Sequence, residues 1–305
     1  MHIILIFLDG IGLGDDDPAI NPFATMNTPT LHALSGGKRW LRDIGRVESE
    51  RAIFVPTDAR MGVNKLRPAS GSGQATIVTG RNIPQEIGEH YGPKPNQAIR
   101  DILDDDNLFI TLKNAGRDAA LINPFPPRFF HGIESGRRLP DSIQYAVRAA
   151  GIRMLTEDDY YRGEAVSPDW TGDAWVHYLG YKDAPVYTPE EAGRLLAVLG
   201  RTRDFTMFST WITDEIGHRG PFERGVEFME TTDAVFRGLL DEWTDEDGLI
   251  ILTSDHGNME VQGDRRHSIN DVPTLAIGGG REVFARDLSS LADITPGILR
   301  VLNGE

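Results

Sequence analysis

The sequence predicts a layered α/β fold built on a central, mostly parallel sheet, and three observations carry that prediction. Residues 3–8 (IILIFL) and 249–252 (LIIL) are apolar at every position, the pattern of strands covered on both faces. Stretches with helical spacing lie between such runs, so strands and helices alternate along the chain. At 305 residues and 40% hydrophobic composition, the chain is long enough to bury a large core in one domain or two.

In order, residues 3–8 read as a strand ending at Asp9-Gly10. Residues 51–63 look extended, and RPASGSGQATIVTGRN runs from a Gly/Ser-rich loop into a helix, with Ser70 just before it. LFITLKNAGRDAALINPFPP reads as a helix, a turn at Gly116, and a strand around 118–122 broken by prolines. A strand from about 204 to 212 follows, and Pro221 then opens a helix reaching about residue 242. Two more strands close the pattern, at 249–253 and 272–278. The stretch 125–187 differs: it is rich in proline, tyrosine and tryptophan and has no clear buried strand. It reads as an inserted cap, leaving 1–124 and 188–305 as the core.

Composition narrows the chemistry. A formal charge of −15 argues against nonspecific nucleic-acid or anionic-membrane binding, although bound cations can reverse a local field. With no cysteine, disulfides, thiolate metal sites and cysteine nucleophiles are excluded. The opening run is too short for a membrane span and lacks a basic start or cleavage signal, so the expectation is a cytoplasmic protein. Nothing in the sequence specifies an oligomeric state.

Ionisable residues recur just beyond the expected strands. Asp9 follows the first. Asp214 and His218 follow the strand near 204–212, four residues apart and hence on one face of a helical turn. Asp255 and His256 end the 249–253 strand, and His267 lies in the next loop. Singly, each has an ordinary reading as a turn former, a helix cap or a loop residue. Together they fall where open α/β sheets bind ligands, beyond the carboxyl ends of the strands. Three Asp and three His suit manganese, zinc or iron better than calcium. Two such ions can clamp a phosphoryl group while activating an attacking oxygen. Ser70, Ser72, Thr76 and Thr79 are candidates for that oxygen, and Ser70 stands at the helix start, where the dipole favours an anion.

The order Asp9, Ser70 loop, Asp214-x-x-x-His218, Asp255-His256-Gly257, His267 resembles the alkaline phosphatase superfamily. SDHGNME and the overall plan are most similar to its metalloenzyme branch, which contains cofactor-independent phosphoglycerate mutase and phosphopentomutase. In that superfamily the nucleophile lies ten residues before the glycine matching Gly80, which selects Ser70 over Ser72. The resemblance implies an alkaline-phosphatase-like fold and two divalent ions, Mn2+ or Zn2+. Asp9, Ser70, Asp255 and His256 would hold one, and Asp214, His218 and His267 the other. It also implies phosphoryl transfer through a phosphoserine on Ser70, with a small phosphorylated molecule as substrate.

Two departures bear on the reaction. The phosphoglycerate mutases carry a larger inserted domain with a basic substrate set that has no match here. Superfamily sulfatases need Cys/Ser-x-Pro-x-Arg, whereas Ser70 is followed by Gly71-Ser72-Gly73. Hydrolysis of a phosphomonoester is therefore the leading expectation. The alternatives are a phosphomutase, a phosphodiesterase or phosphonate hydrolase, and a non-catalytic metal-binding homologue, which would be expected to have lost a ligand. In the insertion, Arg128, Arg137, Arg138 and Arg162 are candidates to grip a second anionic group of the substrate.

Overall fold

Strand β1 (His2–Leu8) is the axis of the molecule. In the computed structural model, which describes residues 1–305, all of its residues but His2 are buried. Ile3, Leu5 and Phe7 enter one hydrophobic cluster and Ile4, Ile6 and Leu8 the other, as the two-residue repeat of a strand requires. That double coverage is why the sequence run is continuously apolar.

The other strands are β2 (Val47–Glu48), β3 (Ala52–Thr57), β4 (Ala119–Leu121), β5 (Pro124–Phe125), β6 (Leu155–Thr156), β7 (Phe205–Thr210), β8 (Gly248–Thr253) and β9 (Val272–Gly278). Seven form one sheet in the order β2-β3-β9-β8-β1-β7-β4, and β5 and β6 make a small pair apart. Strands β8, β1, β7 and β4 run parallel, while β9, β3 and β2 form an antiparallel flank. This is the α/β arrangement expected, with the parallel set running from the middle of the sheet, at β8, to its β4 edge.

Two expected elements end early, each for a local reason. The extended stretch at 51–63 is a strand only to Thr57. Asp58 then accepts hydrogen bonds from the Arg60 and Met61 amides at 2.8 and 3.1 Å, folding the chain back on itself. The strand near 204–212 stops at Thr210, whose hydroxyl accepts from the Ile212 amide at 3.2 Å as the helix Ile212–Arg219 begins. The helix Ser70–Thr79 also starts at Ser70 itself, so the Gly/Ser-rich run is helical. Gly71 and Gly73 are needed there for space: a Cβ on Gly71 would lie 2.7 Å from the Tyr91 carbonyl oxygen, and one on Gly73 2.9 Å from Asp255 Cβ.

Residues 125–187 contribute to both faces of the sheet. Phe129, Ile143 and Val147 join the first cluster, whereas Tyr160, Trp170 and Trp175 join the second. Trp170 stacks on Phe208 of β7 with ring centroids 3.9 Å apart. The segment meets the Ser70 helix where the Ser142 hydroxyl donates to the Gly71 carbonyl at 2.6 Å. No helix is long and apolar enough to cross a bilayer.

Candidate metal centre

The sheet register brings three chain segments to one point. Leu8 of β1 pairs with Thr210 of β7, and Phe7 with Thr253 of β8, so the three parallel strands end nearly level. Asp9 follows β1 directly, Asp255 and His256 follow β8, and Asp214 lies in the helix after β7. The loop between β8 and β9 returns over this edge with His267, and the helix beginning at Ser70 closes the remaining side.

All seven residues meet there. The Ser70 hydroxyl lies 2.9 Å from His256 Nε2. The same nitrogen is 3.3 Å from Asp9 Oδ1 and 3.7 Å from Asp255 Oδ2. Across the site, Asp214 approaches His218 Nε2 at 3.5 Å and His267 Nε2 at 3.6 Å, and the two imidazole nitrogens are 3.2 Å apart. The His256 and His267 rings stack at 3.7 Å, joining the two groups. His267 Nδ1 donates to the Pro68 carbonyl at 2.8 Å, since a carbonyl only accepts. In the neutral ring that tautomer leaves the Nε2 lone pair facing Asp214 and His218.

Burial separates the groups. The side chains of His256 and Asp255 are fully buried and that of Asp9 is 7% exposed, whereas His267, Asp214 and His218 are 17%, 20% and 30% exposed. Burial, then the neighbouring Asp214 carboxylate, pushes Asp255 up to about 7. Burial, with Asp255 and Asp214 nearby, holds Asp9 well above the usual carboxylate range. Burial also drives His256 and His267 down to about 4, so both imidazoles are neutral at pH 7.

These features test whether the residues fit a metal. Asp9 Oδ1, Asp255 Oδ2 and His256 Nδ1 are buried with no hydrogen-bond partner. An unsatisfied buried acceptor costs about 1–3 kcal/mol, so the pocket is energetically incomplete on protein atoms alone. Asp214, His218 and His267 offer ligand atoms within 4.8 Å of one another, as do Asp9, Asp214 and His256. Carboxylates crowded against neutral imidazoles, with one hydroxyl, are a donor set that a divalent cation satisfies.

Three supporting residues escaped the sequence reading. Gln74 donates to Asp9 Oδ2 at 3.1 Å; its place four residues after Ser70, on the same helix face, was the available signal. Asn258 donates through Nδ2 to Asp214 Oδ1 at 2.7 Å and to the Asp214 carbonyl at 3.1 Å. Glu260 is fully buried, bonded to the Gly12 and Asn258 amides. Both stand in the SDHGNME segment, where Asp255 and His256 alone drew attention.

The four candidate arginines stay outside this cluster. Arg128, Arg137, Arg138 and Arg162 are exposed, and none makes a hydrogen bond or ion pair with the seven residues. Arg162 pairs with Asp159 at 2.5 Å and Glu164 at 2.9 Å. Arg138 lies over the Phe129 ring and acts electrostatically, with Lys94, on Asp141, whose charge in turn reaches Asp9.

Residues 190–305 match the family model of the Metalloenzyme superfamily. A 2,3-bisphosphoglycerate-independent phosphoglycerate mutase of Gloeobacter violaceus is 36% identical over 103 residues, covering 29% of this chain and 19% of that enzyme. The corresponding enzyme of Thiobacillus denitrificans is 27% identical over 216 residues, covering 64% of this chain and 40% of the relative. The matched stretches thus span well under half the length of these relatives. In fold, the chain is similar to a Pyrococcus horikoshii protein, with a TM-score of 0.58, 17% identity and coverage of 100% and 97% of the two chains. It is also similar to the alkaline phosphatase of the Antarctic bacterium TAB5, with a TM-score of 0.52, 12% identity and coverage of 99% and 97%. Residues 190–305 of this chain thus match the Metalloenzyme superfamily, and its fold is similar to that of an alkaline phosphatase.

Proposed function

We propose that this protein hydrolyses a small phosphomonoester through a phosphoserine on Ser70, with two divalent ions, Mn2+ or Zn2+, as cofactors. Asp9, Ser70, Asp255 and His256 would hold one ion and Asp214, His218 and His267 the other. Bound there, the ions would neutralise phosphoryl charge and lower the pKa of the nucleophile's hydroxyl. The observation that carries the reading is the position of Ser70. Its hydroxyl opens a helix, beside His256, at the meeting point of the two acid–imidazole groups.

The chain's own residues supply the rest. Ser70 Oγ forms the new bond to phosphorus as the ester oxygen leaves and takes up a proton. Water then cleaves the Ser70 phosphoester, releasing inorganic phosphate and restoring the hydroxyl. The helix dipole at Ser70 favours the alkoxide and the bound phosphoryl group. Gln74 orients Asp9, and Asn258 orients Asp214. We retain Arg128, Arg137, Arg138 and Arg162 as candidates for the substrate's remaining anionic group, with Arg138 first because its charge reaches Asp141, next to the Ser142 that bonds the nucleophile helix. We retain residues 125–187 as an inserted cap on a core of 1–124 and 188–305. A cytoplasmic setting belongs to the same proposal.

A phosphomutase is the second reading, favoured by the names of the curated relatives. A mutase must exclude water from the phosphoserine while its substrate turns, which needs a closing lid. The segment 125–187 is short for that task and packs into both faces of the sheet, so hydrolysis is preferred. The experiment is a screen of sugar phosphates, phosphoglycerates, nucleotides, phosphodiesters and phosphonates, with Mn2+ and Zn2+ supplied separately. Inorganic phosphate stoichiometric with monoester lost supports the proposal. A positional isomer without phosphate release replaces it with the mutase. Turnover confined to diesters or phosphonates would move the reaction to those classes.

A further inference from the structure

Glu260 makes no contact with the nucleophile, yet its carboxylate ties together three of the segments that form the site. One oxygen accepts from the Gly12 amide at 3.1 Å and the Asn258 amide at 2.8 Å. The other accepts from the Ser268 hydroxyl and from Asn270 Nδ2, the latter at 2.9 Å. Four donors fill the acceptor capacity of a carboxylate, and the side chain is fully buried with no cation paired to it. The backbone has made room for it: a Cβ on either Gly12 or Gly257 would lie 2.2 Å from Glu260 Oε1.

Each donor belongs to a segment bearing candidate ligands. Gly12 is three residues past Asp9, Ser268 is next to His267, and Asn258 is two past His256 and itself grips Asp214. We infer that Glu260 is a positioning residue: one buried carboxylate sets the relative placement of the Asp9, Asp214, Asp255-His256 and His267 ligands before any ion arrives. The inference rests on the dimetal reading for its purpose and on these four hydrogen bonds for its geometry. Substituting Gln places an NH2 donor against two donors of the clamp, and so loosens the segments without emptying the space.

The test uses Glu260→Gln and the milder Ser268→Ala, with Ile298→Ala, buried in the helix Ile294–Asn303 that carries none of the candidate ligands, as a control for lost stability. Hydrogen exchange of the metal-free proteins reads the clamp itself. Exchange should rise at residues 9–14 and 254–270 in Glu260→Gln, less so in Ser268→Ala, and in neither segment of Ile298→Ala. Mn2+ titration reads the consequence, with affinity falling about 10- to 100-fold in Glu260→Gln, as for lost partners of metal ligands elsewhere. Unchanged exchange in both segments would overturn the inference, as would an Mn2+ affinity that tracks stability equally in Glu260→Gln and Ile298→Ala. Failure of the wild-type protein to bind Mn2+ or Zn2+ would instead overturn the dimetal reading, while the exchange arm would still decide the clamp. If Glu260→Gln does not fold, the same two readouts on Ser268→Ala decide it.

Discussion

The two halves of the centre are built from similar ligands but meet different surroundings. Asp9, Asp255 and His256 stand at the ends of central parallel strands and are sealed by the Ser70 helix. Asp214, His218 and His267 sit on a helix and a loop that reach the surface, 17–30% exposed. The deep half carries the strained electrostatics: a carboxyl near 7, a second raised carboxyl, and orphaned acceptors. The shallow half has its polar atoms supported by Pro68 and Asn258. The difference separates their roles. In the proposed reading the deep half would hold the nucleophile and gain most from a bound cation, while the shallow half is the one more open to solvent.

The largest effect should come from the deep half. Ser70→Ala is expected to lower turnover by about three orders of magnitude or more, as nucleophile losses do, while circular dichroism and most metal binding are retained. Loss of activity in Ser72→Ala or Thr76→Ala, with Ser70→Ala active, would break the assignment.

Metal stoichiometry sharpens the comparison next. His218→Ala should bind one ion per chain by elemental analysis, keeping the deep ion. His256→Ala should lose the deep ion, and its melting temperature should gain less from added Mn2+ than that of His218→Ala. An ion held at about 100 times its Kd adds about 2.7 kcal/mol of stability, enough to resolve the two variants. Equal losses in both would mean that the halves act as one site.

The third expectation concerns pH. Below about pH 7 the Asp255 carboxyl of the metal-free protein holds a proton that an incoming ion must displace. Mn2+ affinity of the deep half should therefore fall by about tenfold or more per pH unit below 7, because the raised Asp9 carboxyl adds to the protons displaced. His256, held near 4 by burial, has no proton to give up over this range. Calorimetry in buffers of different ionisation enthalpy would count the released protons. An affinity flat from pH 5 to 7 would contradict the raised carboxyl, and Asp255→Asn should remove its contribution to the slope.

The smallest effect lies outside both halves. Arg138→Ala should raise KM by about tenfold or less and leave kcat nearly unchanged, the signature of lost uniform binding. An unchanged KM for every substrate turned over would remove Arg138 from the substrate site.

How much of this was legible in the sequence follows the same division. The deep half announced itself because a strand covered on both faces is apolar throughout, so Asp9 and Asp255-His256 stand out as abrupt polar ends. Asp214 and His218 were visible through their four-residue spacing. Sheet direction was not: β9 is as apolar as β8, and nothing in a buried run says whether its neighbour is parallel. Gln74, Asn258 and Glu260 were missed because buried amides and carboxylates act through partners distant in sequence. Glu260 reaches back to Gly12 across most of the chain. The glycines at 12 and 257 bore its imprint, but a glycine in a loop has many causes, and only the packing identifies this one.

The central claim is a covalent phosphoryl group on Ser70, formed in a site that needs two ions. It is tested most directly by quenching the Mn2+-loaded protein in acid during turnover of a phosphomonoester and mapping its peptides by mass spectrometry. The account predicts one phosphoryl group on the peptide containing Ser70, located at that residue and lost when the metal is first chelated. Steady release of phosphate with that peptide unmodified at every quench time, or with the group on Ser72, would contradict it.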